Sequence, residues 1–159
     1  MSSIEKLSIQ GIRAFSPHDE EKIEFVKPLT LILGVNGAGK TTIIESLRTM
    51  TAGSMPPNTH SGKTFLHDPR ISNVAETKAF LKLKFTTTTG KEVFALRSFQ
   101  LMNKKSGKQE FKKLEQVLKA KDDKGNDISV NKNCMDIDRE IPIMMGVSNA
   151  VLENVVFCH

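Results

Sequence analysis

The sequence predicts an α/β fold, with a mixed sheet around one loop and its helix and with a separate antiparallel β subdomain. Three observations favour this class. Residues 29–33 form a near-continuous apolar run, typical of a strand buried on both faces of a parallel sheet. A glycine-rich loop follows, and Ile43, Ile44 and Leu47 then recur at the spacing of one buried helix face. From residue 78 onwards, apolar and polar residues alternate as they do in strands.

The other elements are predicted from the same kinds of pattern. Alternation predicts strands over 6–12 and 22–26, whereas the glycines and prolines of 51–63 predict a surface loop. Two further strand pairs are expected, 78–86 with 91–101 around Gly90, and 111–117 with 127–130 around the turn 122–126. The chain then predicts a helix over 132–141 that Pro142 stops, a helix over 149–154 capped by Ser148, and an apolar strand over 155–159.

Length and composition are those of one globular domain, which we take to span residues 1–159. No apolar stretch is long enough to cross a bilayer and no secretory signal precedes the first strand, so we expect no membrane partner. Cys134 and Cys158 are too few for a disulfide scaffold, and both are expected to be reduced thiols. Cys158 and His159 are adjacent and form no closed set of zinc ligands, so a zinc site is not expected.

One segment carries the positive charge of the chain. Between residues 104 and 121, seven lysines accompany two glutamates, a surplus of +5 that equals the net charge of the whole sequence. Apolar residues interrupt the lysines, which favours a folded element with a basic face over a disordered tail. A solvated surface and a contact with nucleic-acid phosphates are both compatible with such a face.

The glycine-rich loop has the pattern of a phosphate-binding P-loop, Gly34-Val35-Asn36-Gly37-Ala38-Gly39-Lys40-Thr41. We expect positive φ at its three glycines, so that backbone N–H groups point inward and form an anion nest at the start of the helix. Lys40 would reach the β and γ phosphates, Thr41 would ligate Mg²⁺, and Thr42 would bind the α phosphate. The predicted nucleotide contacts are Asn36, Gly37, Ala38, Gly39, Lys40, Thr41 and Thr42.

Three classes of P-loop protein compete for this sequence. A GTPase needs an Asn-Lys-x-Asp base reader, but residues 131–134 read Asn-Lys-Asn-Cys and lack the carboxylate, and Asp122-Asp123-Lys124-Gly125 lies too close to them. A small-molecule kinase usually has an arginine-rich lid, whereas the basic positions here are lysines in a β-rich region. The order of predicted elements matches the third class, the ABC or SMC-type ATPases.

Several segments together resemble the Rad50 family. They are Ile4-Glu5-Lys6, Gly11-Ile12-Arg13, the P-loop and helix through Ser46, Thr64-Phe65-Leu66-His67-Asp68-Pro69, and residues 146–159. This family comprises the SMC-like ATPases of the Mre11 and Nbs/Xrs double-strand-break repair complex, and the resemblance to its eukaryotic form runs nearly end to end. It implies an ABC/SMC-type lobe that is the N-terminal half of an ATPase head.

The resemblance also implies what this half lacks. In the family, the glutamine that contacts Mg²⁺ follows the Phe-Cys-His ending, and the signature motif, the Walker B aspartate, the catalytic glutamate and the switch histidine belong to the C-terminal half. The implied enzyme is an ATP hydrolase that is incomplete alone, with catalytic Lys40, cofactors ATP and Mg²⁺, and its own C-terminal half and a second head as partners. A nuclear, chromosomal location with roles in meiosis and at telomeres is implied as well.

Further site residues come from the resemblance. Arg13 would reach the nucleotide from the turn after the first strand, and Leu66 and Asp68 would approach the base and ribose, although Asp68 before Pro69 is equally explained as a turn residue. Lys6 and Lys82 resemble positions that contact a regulatory nuclease cofactor. Duplex DNA would contact the basic segment, at Lys104, Lys105, Lys108, Lys112 and Lys113.

The expected function is that of an ATP-driven clamp in double-strand-break repair. ATP binding would bring two heads together, form a basic surface for DNA and control nuclease access, and hydrolysis would release the heads. The alternatives left open are a P-loop switch or binding module without efficient hydrolysis, and another SMC-type ATPase head.

Overall fold

The computed structural model describes residues 1–122, 124–129, 134–152 and 156 of the chain. Six strands and three helices lie in these residues. They are β1 Ser3–Gln10, β2 Glu21–Glu24, α1 Lys40–Ala52, β3 Glu76–Thr86, β4 Glu92–Asn103, β5 Gln109–Lys121, β6 Asp127–Ser129, α2 Cys134–Met145 and α3 Asn149–Val151. The predicted pair 78–86 with 91–101 is confirmed. The second predicted pair is displaced, because β6 pairs with residues 119–121 of β5 and not with 111–117, and Val130 lies outside the described residues.

The strands form one antiparallel sheet in the order β2-β1-β3-β4-β5-β6. Its register places apolar residues of neighbouring strands opposite each other, for example Ile9 with Leu81 and Ala95 with Leu118. Because side chains alternate along a strand, this register gives the sheet one apolar face and one face rich in lysine. The predicted alternation from residue 78 onwards therefore identified the correct buried face.

Helices α1 and α2 cover the apolar face of the sheet. The core between the helices and the sheet contains fully buried Leu81 and Phe99 from the strands, Met50 from α1 and Ile141 from α2. The loop between α1 and β3 adds Phe65, which is also fully buried. Helix α1 is thus anchored along its length, and the loop at its N-terminus is attached to a rigid element.

Arg97 of β4 is a charged residue in the middle of this core, and the sequence patterns did not single it out. Its side chain is fully buried, and its guanidinium donates to the Met50 carbonyl at 3.2 and 3.3 Å and to Gln116 Oε1 at 2.7 Å. Asp138 of α2 completes the group, with Oδ1 2.6 Å from the same guanidinium. Since Met50 lies in the last turn of α1, Arg97 places positive charge at the C-terminal end of the P-loop helix, where the helix dipole favours it.

The predicted buried strand over 29–33 is not observed. These residues have no regular secondary structure, and Leu29 and Leu33 are 71% and 83% exposed. A strand buried on both faces needs neighbouring strands for its hydrogen bonds, and no strand of the described part of the chain pairs with this segment. The segment therefore presents an apolar surface that this chain leaves uncovered.

The C-terminal helices differ from their prediction at two places. Helix α2 continues through Pro142 to Met145 and ends at Gly146, whose φ is 69°, so Pro142 does not stop it. A proline removes one hydrogen bond without preventing a helix, and here the left-handed glycine is the actual stop. The Ser148 cap is confirmed, because its side chain accepts from the Val151 N–H. Residues 132–133, 153–155 and 157–159 lie outside the described residues, and Val156 is in a helical turn, not in the predicted strand.

None of the helices among the described residues is long and apolar enough to cross a membrane.

Candidate nucleotide-binding site

The P-loop residues form a tight turn into α1. Gly37 and Gly39 have φ of 86° and 92°, as predicted, and Gly39 caps the helix. The first hydrogen bond of the helix runs from the Ile43 N–H to the Gly39 carbonyl at 3.1 Å, so the N–H groups of Lys40, Thr41 and Thr42 have no acceptor inside the helix. These are the donors that an anion at a helix N-terminus uses.

The prediction of positive φ was wrong for Gly34. Its φ lies outside the left-handed region, and the space around it explains the glycine instead. A Cβ built at Gly34 would lie 3.0 Å from the Cβ of Ala38, which is tighter than ordinary packing allows. Gly34 is therefore needed for close approach within the loop, and only Gly37 and Gly39 supply its left-handed turns.

Lys40 turns back over the loop. Its ammonium donates to the carbonyl of Gly34 at 2.5 Å and to that of Val35 at 2.8 Å. The predicted contact of Lys40 with phosphates stays a prediction. A cavity of about 350 Å³ opens beside the ammonium, and its lining consists of Arg13, Ala14, Asn36, Gly37, Gly39, Lys40, Thr41 and Thr42. All predicted P-loop contacts except Ala38 line this cavity.

Arg13 is held in the wall of this first cavity by several contacts. Its backbone has φ of 46°, its N–H donates to the Phe65 carbonyl at 3.0 Å, and its own carbonyl accepts from His67 Nδ1 at 2.7 Å. The guanidinium lies 5.9 Å from the centre of the Phe65 ring and pairs with buried Glu45 of α1 at 2.7 and 2.9 Å. The predicted nucleotide contact is thus positioned by the P-loop helix itself, and Glu45 was not predicted.

A second cavity, of about 400 Å³, adjoins the first and shares Arg13 and Ala14 with it. Leu66 and Asp68 both line it, and their assignment to the base and ribose stays a prediction. Asp68 pairs with Arg70 at 2.7 Å and accepts from Gln109 Nε2 at 3.2 Å. The Arg70 hydrogen bond is the main cause that lowers the pKa of Asp68, so this carboxylate is charged at neutral pH. Asp68 also accepts from the Arg70 N–H at 3.0 Å, which is the turn role that its position before Pro69 favoured.

The five predicted DNA-binding lysines do not form one basic face. Lys112 and Lys113 are adjacent in β5 and therefore lie on opposite faces of the sheet, with Lys113 on the helix side, where it donates to the Gly53 carbonyl at 3.3 Å. Lys104 lies 3.1 Å and Lys112 3.8 Å from Glu110. Side chains alternate between the two faces along β5, a turn precedes this strand, and a bulge interrupts its pairing with β4. Lysines that are close in sequence therefore lie apart in the structure.

The turn between β4 and β5 presents the remaining basic side chains together. Lys105 and Lys108 are exposed there and make no ion pair with any described residue. A groove of about 330 Å³ beside the turn is lined by Lys104 and Lys108 and also by Lys63. Lys63 belongs to the loop after α1, and no pattern in the sequence predicts that this loop folds against β5.

Lys6 and Lys82 lie on the lysine-rich face of the sheet, opposite the helices. Lys82 pairs with Ser8 in the register, so it is a diagonal neighbour of Lys6. Each lysine has a carboxylate partner, Glu24 at 2.9 Å for Lys6 and Glu20 at 3.0 Å for Lys82. The structure brings the two residues onto one surface, and their assignment to a regulatory partner stays a prediction.

Thr41, the predicted Mg²⁺ ligand, lines the first cavity. The Thr41 hydroxyl lies in the first turn of α1 on an exposed residue, and a hydroxyl oxygen beside phosphates fits the ligand set of Mg²⁺. Among the described residues no cluster of three or more His, Cys, Asp or Glu could hold a metal. Cys158 and His159, for which no zinc site was expected, lie outside the described residues.

Comparison with known proteins identifies the family. A family model described as an AAA domain matches residues 6–158. DNA repair protein RAD50 of Arabidopsis thaliana is 50% identical over 160 residues, and that of Saccharomyces cerevisiae is 46% identical over 159 residues. Each alignment covers 100% of this chain and 12% of the relative, so the chain spans about an eighth of the length of these relatives.

A solved structure confirms the fold class. The recombination mediator protein RecF, solved with ATP, matches with a TM-score of 0.54 over 86% of this chain and 29% of RecF. Its sequence identity is 16%, so this likeness concerns the fold alone. Together with the AAA-domain match, it confirms the α/β ATPase class with an antiparallel sheet that the sequence predicted. The matches at 46% and 50% identity over the full chain then establish that the chain belongs to the Rad50 family.

Proposed function

We propose that this chain binds Mg-ATP and is the ATP-binding half of a DNA repair ATPase. The observation that carries the proposal is the junction of Gly39 with α1, where unpaired N–H groups and the Lys40 ammonium face one cavity. Bound Mg²⁺ would neutralise charge on the phosphates, and Thr41 is the residue of this chain that would hold it. Arg13 would add a guanidinium at the cavity wall, and Leu66 and Asp68 would contact the base and ribose.

We do not propose that this half hydrolyses ATP alone. No carboxylate lines the first cavity among the described residues, and Glu45, which contacts the cavity residue Arg13, is held in an ion pair with it. A residue that activates water would therefore have to come from elsewhere. This favours a composite site completed by a C-terminal half, and it also keeps open the second candidate, a nucleotide switch without efficient hydrolysis.

The uncovered apolar segment supports a partner half. Residues 29–35 lead directly into the P-loop, and Leu31, Leu33 and Val35 are more than two thirds exposed. Such a segment, with no strand of the described chain beside it, is suited to pair with strands from the C-terminal half of the head. Two complete heads would then enclose the nucleotide, and their engagement would clamp DNA and control access of the associated Mre11 nuclease.

Duplex DNA is the proposed ligand of the turn between β4 and β5. Unpaired Lys105 and Lys108 supply positive charge without base-reading geometry, as sequence-independent phosphate binding requires. Lys104, Lys112 and Lys113 are weaker candidates because Glu110 or the Gly53 carbonyl already contacts them. On the lysine-rich face of the sheet, we propose that Lys6 and Lys82 contact a regulatory protein. The family role suggests that the Nbs/Xrs subunit belongs to the same complex. It also suggests a nuclear location.

Head engagement tests the proposal most simply. In the full-length protein, Lys40→Ala should abolish the ATP-dependent association of heads measured by light scattering, whereas Lys22→Ala on exposed β2 should leave it unchanged. Association that persists in Lys40→Ala would contradict the proposed role of the loop. The rate of ATP hydrolysis measured on the same samples separates the two candidates. The heads of a nucleotide switch would associate when ATP is added, but ATP would be hydrolysed no faster than in buffer alone.

A further inference from the structure

Three contacts connect the lysine-bearing turn to the loop that forms the second cavity. Gln109, the first residue of β5, donates from Nε2 to Asp68 Oδ1 at 3.2 Å. The Asn103 N–H at the end of β4 donates to the Ala75 carbonyl at 2.9 Å. The ring of Phe111 packs so closely on Gly62 that a Cβ there would lie 2.8 Å from it. The turn and the cavity loop are therefore one packed unit.

Gln109 and Lys63 each line two cavities at once, and of these two Gln109 is the one that donates to Asp68. It lies in the wall of the groove with Lys63, Lys104 and Lys108, and it also lies in the wall of the cavity with Asp68. Its amide reaches Asp68 directly, whereas the Asn103 and Phe111 contacts attach to the surrounding loop. An occupant of the basic groove would thus touch a side chain that, beside Arg70, donates to the carboxylate of the second cavity.

We propose that Gln109 is a positioning residue that couples an anion in the groove of Lys63, Lys104 and Lys108 to nucleotide binding. The inference rests on the proposed function, in which duplex DNA supplies the anion and Asp68 faces the bound nucleotide. DNA phosphates in the groove exclude water from the Gln109 amide and keep it directed at Asp68. The second cavity is then ordered before the nucleotide arrives, so DNA raises the affinity for ATP. By linkage, ATP raises the affinity for DNA by the same factor.

The coupling is measured as a ratio of two dissociation constants. The full-length protein is titrated with a non-hydrolysable Mg-ATP analogue, first alone and then with a saturating short DNA duplex. We expect the duplex to tighten nucleotide binding by about fivefold or more in the wild type, within the usual range for coupled sites. Gln109→Ala should bring this ratio close to one while DNA affinity changes by less than about twofold, because the lysines remain.

Two variants exclude a merely structural effect. Gln109→Asn retains the amide on a side chain one methylene shorter, so it should lose the reach to Asp68 and show the same loss of coupling. Gln100→Ala is the matched control, since Gln100 donates to Glu76 on the other face of the sheet and should retain the wild-type ratio. Thermal midpoints of all variants are compared, because a variant that only loosens the fold would weaken nucleotide binding with and without DNA alike.

The outcomes separate this inference from the function on which it rests. Loss of coupling in both Gln109 variants with the control intact supports the inference. If DNA and nucleotide both bind but the wild-type ratio is one, or if Gln109→Ala retains the wild-type ratio, the inference is overturned and the proposed function stands. If no DNA binds at all, the proposed DNA role and the inference are overturned together.

Discussion

The buried contact between Arg97 and Asp138 gives a stability prediction that distinguishes the two partners. Removing one member of a buried ion pair usually costs about 3–5 kcal/mol, because the other charge is left uncompensated. Arg97 is 2% exposed and Asp138 29%, so only the aspartate has some access to water. For Asp138→Leu we expect a cost near the lower end, about 3 kcal/mol, because Gln116 and the Met50 carbonyl still accept from the guanidinium.

The double variant tests the reason for that cost. With Arg97→Met as well, no buried charge remains, so we expect the double variant to recover at least about 1 kcal/mol relative to the sum of the single changes. Urea unfolding of the chain followed by circular dichroism would register the Asp138→Leu cost as a midpoint shift of roughly 1–3 M. Asp136→Leu, at an exposed position in the same helix, is the control and should cost less than about 1 kcal/mol. A cost below about 1 kcal/mol for Asp138→Leu, or simple additivity in the double variant, would refute the reasoning.

Three further predictions concern other parts of the chain. Gly53→Ala should destabilise the chain more than Gly107→Ala. Both glycines have φ near 75°, but a Cβ at Gly53 would clash with the Asp138 side chain, whereas a Cβ at Gly107 would meet open space. Equal urea midpoints for the two variants would contradict this prediction. Hydrogen bonds from Lys121 and then Lys84 lower the pKa of Glu92 from 4.5 to about 2, so its stabilising contribution is complete above pH 4.5 and is lost as pH falls towards 2. Glu92→Gln should therefore be less stable than the wild type at pH 7 and equally stable near pH 2, whereas a difference independent of pH would count against the ion pairs. Replacing Lys105 and Lys108 with glutamine should reduce the magnitude of the slope of log DNA affinity against log salt concentration by about 0.9 per lost contact. An unchanged slope would mean that these two lysines are solvated and do not contact DNA.

Local patterns predicted the parts of the fold that depend on neighbouring residues. The alternation in 78–86 and 91–101 identified a hairpin whose buried face is correct, because the two-residue period of a strand reports directly on which side of a sheet is covered. The positive φ of Gly37 and Gly39 was predicted correctly for a similar reason, since the P-loop turn is encoded in eight consecutive residues. The Ser148 cap is equally local.

Long-range contacts limited the rest of the prediction. Arg97 occupies an inward position of β4 that its charge disfavours, and the partners that make it tolerable come from α1, β5 and α2. Lys63 lies at the basic groove only through the fold of the long loop between Ala52 and Glu76, for which no periodicity exists. The apolar run 29–33 was read as a buried strand because its composition is that of one, but burial also requires neighbouring strands, which the described chain does not supply.

The central claim is that the loop from Gly34 to Thr41 binds the phosphates of ATP. Calorimetric titration of the full-length protein with Mg-ATP, wild type against Lys40→Ala, tests it most directly. Loss of charge-assisted hydrogen bonds to phosphate should weaken binding by about 10- to 100-fold in Lys40→Ala. Equal affinity of the two proteins for Mg-ATP would contradict the account, because Lys40 would then have no part in holding the phosphates.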